Sequence, residues 1–250
     1  DSDTYIRGKI ITGSGNDTFN LDGKFGYYAW VYAGEGNDVI NILDNATDSG
    51  SESHYIYGEA GDDIITYSSK SDNARKFRLY GGGGNDTIDI SSSENLLDWQ
   101  EHGAQKALRI HGNSGDDILI GNDESNQIWG GNDNDSINGG NGNNNLHGDA
   151  GDDSIVSGSG NDNIYGGSGA DVINSGDGDN DLYGDDGDDV IESGSGDDTI
   201  YGGNNDDVIN AGEGNDVIYG GNSGGGKGDD GSIDTAVFSG ASTDYKISRA

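Results

Sequence analysis

The stretch GGSGADVINSGDGDNDLYGDDGDDVIESGSGDDTIYGGNNDDVIN, Gly166 to Asn210, repeats every nine residues as G-G-x-G-x-D-x-U-x, where U is a large aliphatic residue. Worked outward, the register holds without a break from Gly112 to Tyr219, twelve units in all, and the eighth position is Ile or Leu in every one. So short and regular a period marks a solenoid rather than a globular domain. Wider-spaced copies precede the array: TGSGNDTFN (Thr12–Asn20), AGEGNDVIN (Ala33–Asn41), GEAGDDIIT (Gly58–Thr66) and GGGGNDTID (Gly81–Asp89).

Each position has a physical reason. Glycines at positions 1, 2 and 4 permit the left-handed, tightly folded backbone of a short turn between strands. Such a turn directs carbonyls inward. A hard cation that takes six to eight oxygens at roughly 2.3–2.6 Å is suited by those carbonyls together with one Asp carboxylate per turn, drawn from two stacked turns. The aliphatic residue follows on a short strand. Side chains alternate there, so position 8 faces one side while positions 7 and 9 face the other. Two strands and two turns then make one coil of roughly eighteen residues.

The nonapeptide resembles that of the RTX (repeats-in-toxin, haemolysin-type calcium-binding) family. The resemblance implies an all-β, right-handed parallel β-roll or β-helix of about eleven coils with calcium turns, found in proteins exported by type I secretion.

Phasing the whole chain on the array yields two core columns. One runs Ile10, Val31, Ile56, Leu79, Ile110, Ile128, Leu146, Ile164, Leu182, Ile200, Ile218, and the other Phe19, Ile40, Ile65, Ile88, Leu119, Ile137, Ile155, Ile173, Ile191, Ile209. With about 4.8 Å between neighbouring strands, eleven coils make a single elongated rod of roughly 50 Å. Three regions are expected: loop-decorated coils with calcium turns on one side (1–111), regular coils with calcium turns on both sides (112–219), and a linker with capping strands (220–250). Loops are expected at 22–28, 44–53, 67–76 and 91–106. Ile233–Phe238 and Asp244–Ile247 read as strands that cover the last coil, whose edges would otherwise invite pairing with other chains.

Two rows of metal-binding turns follow, and they are unequal. One places Asp17, Asp38, Asp63, Asp86, Asp117, Asp135, Asp153, Asp171, Asp189 and Asp207 at position 6. The other has Asn126, Asn144, Asp162, Asn180, Asp198 and Asp216, with Glu124 in place of a position-4 glycine, so weaker or missing ions are expected at the three Asn turns, Asn126 and Asn144 above all. One ion between successive turns gives roughly fourteen Ca2+ ions, about +28 against a formal charge of −35.

Composition bounds the rest. With 48 glycines, no proline, no cysteine, a pI near 4.1 and a mean hydropathy of −0.75, the bare chain lies among compositions that stay disordered, and metal must supply what the core lacks. Gly112–Gly226 contains no Lys or Arg, which disfavours nucleic-acid binding. No run of about 18 apolar residues exists to span a membrane. Absence of cysteine excludes disulfides and thiol nucleophiles. The chain shows no signal peptide and no initiator Met, and reads as a fragment or processed part of a larger polypeptide. Calcium sites of this kind fill outside the cell and stay empty in cytosol, which points to a secreted or cell-surface protein.

Position 9 of one sheet forms a ladder expected to face outward: Tyr32, Tyr57, Tyr80, His111, Trp129, His147, Tyr165, Tyr183, Tyr201 and Tyr219. In the N-terminal coils, Lys9, Trp30, Tyr55, Arg78 and Arg109 stand beside it at position 7. A ligand face of Trp30, Tyr32, Tyr55, Tyr57, Arg78, Tyr80, Arg109 and His111 would stack sugar rings or meet an anionic partner such as a cell-surface glycan. Equally, cross-strand stacking alone accounts for the tyrosines. His54, His102, His111 and His147 lack transition-metal spacing and read as solvated or stacked. Paired carboxylates such as Asp62-Asp63 fall inside the turns, and no nucleophile elbow appears, so the chain is expected not to be an enzyme. The expected role is a calcium-folded structural, extension or capping region of an adhesin, toxin or S-layer protein. The alternatives are a non-catalytic module of a secreted protease, lipase or epimerase, or a ligand-binding module.

Overall fold

The computed structural model describes residues 5–44, 53–69, 76–93, 108–221, 235–237 and 245–248. Among them every regular element is a strand and every strand pairing is parallel, with no helix long and apolar enough to cross a membrane. The strands form a parallel β-roll, as the nine-residue pattern requires. They divide into two units, Asp1–Gly130 and Gly131–Ala250.

In the first unit one sheet stacks β1 (Tyr5–Ile11), the second half of β2 (Thr18–Glu35), β4 (Ser53–Ala60), β6 (Lys76–Gly83) and β8 (Arg109–Ser114). The facing sheet stacks the first half of β2, β3 (Val39–Asp44), β5 (Ile64–Ser69), β7 (Thr87–Asp89) and β9 (Ile118–Ile120). Strand β10 (Gln127–Asn132) straddles the division. In the second unit β12 (Asn145–Ala150), β14 (Asn163–Ser168), β16 (Asp181–Asp186), β18 (Thr199–Asn204), β20 (Asp216–Tyr219) and β22 (Tyr245–Ser248) form one sheet. The other consists of β11 (Ser136–Asn138), β13 (Ser154–Val156), β15 (Val172–Asn174), β17 (Val190–Glu192), β19 (Val208–Asn210) and β21 (Thr235–Val237).

The aliphatic columns pair in register, Leu146 on Ile164 on Leu182 on Ile200 and Ile155 on Ile173 on Ile191, and these residues are buried. Ile10 and Phe19, in the first described coil, are half-buried, since among the described residues no coil lies on their other side. At the C-terminal end, Ala236 lies on Ile209 and Ile247 on Ile218, so β21 and β22 extend the two sheets.

Residues 22–28 are not the loop expected from the sequence. They continue β2, which serves both sheets, because Leu21, Phe25 and Ala29 turn inward and are buried. The coils of this unit are accordingly wider. Burial alternates past the two columns to Ile42 and Asp44 on β3, Tyr67 and Ser69 on β5, His54 on β4 and Phe77 on β6. Here Phe77 packs against Phe25 (ring centroids 5.0 Å), His54 (4.9 Å) and Tyr67 (4.6 Å), a second tier of core. His54, expected to be solvated or stacked, is instead buried with its ring tilted against Phe25 (59°) and Phe77 (35°), and its Nδ1 accepts the Ala29 N–H at 3.1 Å. The expected loops 44–53 and 67–76 are shorter than expected at their ends, because Asp44, Ser53, Tyr67, Ser68, Ser69 and Lys76 belong to strands whose inward residues join the core. Their remaining segments 45–52 and 70–75 lie outside the described residues, as do 94–106 of the expected loop 91–106, with His102, and most of the linker after Gly221.

Candidate metal centre

The turn Gly166–Asp171 shows how the backbone is constrained. Gly169 has φ +129°, and a Cβ on it would lie 2.1 Å from the carbonyl oxygen of Gly151 in the coil before. Parallel stacking leaves no room for a side chain in that direction. Several non-glycine residues at positions 2 and 4 also take positive φ, among them Glu59, Asp149 and Asn205 with 79°, 74° and 80°. Asn and Asp tolerate this left-handed region best among L-residues, and Glu59 adopts it at some cost.

Position 6 is held by its neighbours along the stack. In each row the main-chain N–H at position 6 donates to the side-chain Oδ1 one coil further on. In the first unit, Asp17 donates to Asp38 (2.7 Å), Asp38 to Asp63 (2.7 Å), Asp63 to Asp86 (2.8 Å) and Asp86 to Asp117 (2.7 Å). In the second, Asp135 donates to Asp153 (2.7 Å), Asp153 to Asp171, Asp171 to Asp189 (both 2.8 Å) and Asp189 to Asp207 (3.0 Å). The opposite row of this unit does the same through Asn144, Asp162, Asn180, Asp198 and Asp216. The bond fixes one carboxylate oxygen and aims the other into the turn.

That other oxygen tests whether a cation fits. The Oδ2 atoms of Asp38, Asp63, Asp86, Asp153, Asp171 and Asp189 are buried and have no hydrogen-bond partner. A native fold does not leave so many buried acceptors without a donor, because each costs on the order of 1–3 kcal/mol, more when charged. Beside them lies a cradle at position 1. A Cβ on Gly58, Gly148, Gly166 or Gly202 would fall 2.2–2.4 Å from Oδ2 of the Asp in the same turn, and 2.5–2.7 Å from the position-1 carbonyl oxygen of the next coil. Carboxylate and carbonyl oxygens therefore face one glycine-lined space, a donor set that fits a hard divalent cation. Among the described residues no three His, Cys, Asp or Glu side chains cluster as in a transition-metal site.

Burial pushes these carboxyls upward. Asp63, Asp153, Asp162, Asp189 and Asp198 rise to about 6, Asp171 to about 7 and Asp86 to about 8. Desolvation is the main cause and the donated N–H opposes it, joined by the Ser157 side chain at Asp162 and outweighed as an opposing cause by that of Ser193 at Asp198, while for Asp86 and Asp171 neighbouring carboxylates of the row add to the rise. Asp17, in the first turn, is half-buried.

The sequence reading left position 5 unassigned, yet it forms a second ladder of opposite sense. The N–H of Asp62 donates to Asn37 Oδ1 (3.1 Å), that of Asn85 to Asp62 Oδ1 (2.9 Å), and that of Ala170 to Asp152 Oδ1 (2.8 Å). The signal was present, since position 5 is Asn or Asp in nearly every unit. One row of the second unit also has Ser157, Ser175 and Ser193 at position 1 where the other has glycine, all three buried.

The aromatic ladder is tightly stacked. In the first unit, Tyr32, Tyr57, Tyr80, His111 and Trp129 lie with successive ring centroids 4.6–4.9 Å apart and planes within 11°, and in the second His147, Tyr165, Tyr183, Tyr201 and Tyr219 do likewise at 4.7–5.0 Å. Their faces are spent on one another and only edges meet solvent. His111 falls to about 4 through burial and then the charges of Arg109 and Arg78, so it is neutral at neutral pH. Beside this ladder Trp30 is 41% exposed, Arg78 lies over Tyr55 (5.8 Å), and Arg109 Nε donates to Gln127 Oε1 (2.9 Å). From β1 to β8, outward positions 7 and 9 of this sheet carry Lys9, Arg78 and Arg109 and no carboxylate, although the chain has 47 acidic residues.

A family profile for the RTX calcium-binding nonapeptide repeat matches residues 30–41, 55–72 and 78–89, and overlapping copies of it run from 111 to 223, together more than half of the chain. No curated protein matches the chain.

Proposed function

Because this chain belongs to the RTX calcium-binding nonapeptide repeat family, we propose that it folds on calcium after secretion and serves as a structural, extension or capping region of a larger extracellular protein of adhesin, toxin or S-layer type. The observation that carries this reading is the series of buried Oδ2 atoms without hydrogen-bond partners. Bound calcium supplies the positive charge that such facing oxygens require. The ladder N–H groups hold each carboxylate in place, the position-1 glycines keep the space open, and the Ile and Leu columns close behind the turns. A chain with formal charge −35 repels itself when its turns stack without counter-charge. Folding is thereby linked to calcium concentration, low in cytosol and high outside. In this reading the chain is non-catalytic, and any enzyme activity of a parent protein resides in other residues.

The test is a calcium titration of an EDTA-treated sample followed by circular dichroism and hydrodynamic radius. The expected result is a change from an expanded, strand-poor chain to a compact β-rich one that magnesium does not reproduce. A chain already compact and β-rich in EDTA overturns the reading.

A second reading is favoured by the carboxylate-free face of Lys9, Trp30, Tyr55, Arg78 and Arg109, which suits an anionic glycan on a cell surface. Binding to an array of acidic glycans that is lost in Arg78→Ala, with the calcium response intact, supports it, and an array without hits removes it.

A further inference from the structure

Three turns in the rows carry Asn at position 6, and their side chains do something no Asp can do. Asn144 Nδ2 donates to the carbonyl oxygens of Gly140 (3.3 Å) and Gly142 (2.9 Å), and Asn180 Nδ2 to those of Gly176 (3.5 Å) and Gly178 (2.9 Å). Asn126 Nδ2 meets the carbonyl oxygens of Asn122 and Glu124. All three share acceptors at positions 2 and 4 of the same turn, and Asn144 Nδ2 also meets the position 3 carbonyl of Asn141 (3.4 Å). The amide also reaches a serine hydroxyl in the second unit, Ser157 for Asn144 (3.0 Å) and Ser175 for Asn180 (3.1 Å). Meanwhile the ladder is kept, because Asn180 Oδ1 accepts the Asp162 N–H at 2.9 Å.

Asn and Asp are nearly isosteric, so this comparison isolates one atom. With Asp at position 6 an oxygen faces the position 2 and 4 carbonyls, and acceptors converge without a donor. With Asn an NH2 group stands there, and its two hydrogens are shared among the converging acceptors, the position 4 carbonyl at 2.9 Å in Asn144 and Asn180 being the nearest. We propose that the side-chain amides of Asn126, Asn144 and Asn180 take the place of a calcium ion, so that these turns close permanently without metal. The metal sites are then unevenly placed. In the second unit, the row of Asp135 to Asp207 is metal-dependent throughout, while in the opposite row only Asp198 and Asp216 are neighbouring carboxylates. In this unit two of the five turns of that row, those of Asn144 and Asn180, are pinned before calcium arrives, which gives the carboxylate row a partly ordered template.

The inference rests on the calcium reading above, and the experiment separates the two. Calcium bound per chain is measured by equilibrium dialysis for the unmutated protein, Asn144→Asp and Asn180→Asp at saturating calcium. Each substitution is expected to add at least one ion and to raise the calcium concentration needed for folding. A folded, calcium-binding Asn180→Asp with an unchanged ion count overturns the inference, whereas an unmutated chain that takes up no calcium overturns the calcium reading instead. A second measurement needs no variant. Slow hydrogen exchange of the Asn144 and Asn180 side-chain amides by NMR in the folded protein is expected, and solvent-rate exchange overturns the substitution of amide for ion whatever the metal content.

Discussion

The main-chain N–H of Asp171 donates to Oδ1 of Asp189 at 2.8 Å, while Oδ2 of Asp189, equally buried, has no hydrogen-bond partner. One carboxylate thus has two oxygens with separate tasks, one tying coils together and the other awaiting a cation.

Asp189→Asn and Asp189→Ala separate those tasks. The amide retains an Oδ1 acceptor and turns two hydrogens toward carbonyls, so Asp189→Asn is expected to bind at least one ion fewer yet gain about 1 kcal/mol in EDTA. Asp189→Ala loses the ladder acceptor as well, and is expected to be less stable by about 1–3 kcal/mol even when calcium saturates the remaining sites. Circular dichroism in EDTA reads the first, and denaturant unfolding in saturating calcium the second.

Acidity acts with opposite sign on the metal-free and metal-loaded protein. The row carboxyls are raised from an ordinary 3.8 to about 6 for Asp63 and about 8 for Asp86, so between these values the folded chain binds more protons than the unfolded one. Stability without metal therefore falls as pH rises from about 4 to about 8. Ion binding needs the deprotonated groups, and calcium affinity is expected to weaken as pH drops through the same window. Circular dichroism in EDTA at pH 8, 6 and 4.5, expected to gain strand content as pH falls, and calcium isotherms at pH 8 and 5.5 check the pair of trends; a flat EDTA series contradicts them.

Gly166→Ala tests the cradle. A Cβ there would lie 2.4 Å from Asp171 Oδ2 and 2.7 Å from the Gly184 carbonyl oxygen. The expected outcome is one or more ions lost and a cost of about 1–3 kcal/mol from overpacking. An unchanged ion count measured by dialysis contradicts the placement of the site.

Phe77→Ala probes the part of the first unit that metal does not reach. Its ring is buried among Phe25, His54 and Tyr67, and truncation is expected to cost about 3–5 kcal/mol. Calcium-saturated protein should show this cost with the ion count unaltered, the reverse of the Asp189→Asn result.

What could be read from the chain depended on where the nine-residue period ran. Ile155, Ile173 and Ile191 recur at one phase, and their stacking in the core follows from strand alternation alone. Position 6 was legible for a similar reason, since one residue type in one place needs one explanation. Phe25, Tyr67 and Phe77 were not legible, because they lie between repeats, where a missing motif looks like a loop. Only the neighbouring coils, each contributing one inward residue, show that these segments are core. The direction of an amide was hidden too. Asn144 reads from sequence as a defective ligand, and the geometry shows it bonded to the carbonyls of its own turn.

The position-6 ladder gives the stack a polarity like that of a filament. Every such N–H points toward the C-terminal coil and every receiving carboxylate toward the N-terminal one, from Asp135 through Asp189 and from Asn144 through Asp198. A partly assembled roll therefore has unlike tips. At position 6 the C-terminal tip presents amide hydrogens and the N-terminal tip side-chain oxygens, and at position 5, where the bonds run the other way, the two are exchanged. Coils added at one tip meet a different surface from coils added at the other, so assembly in the two directions proceeds through different intermediates.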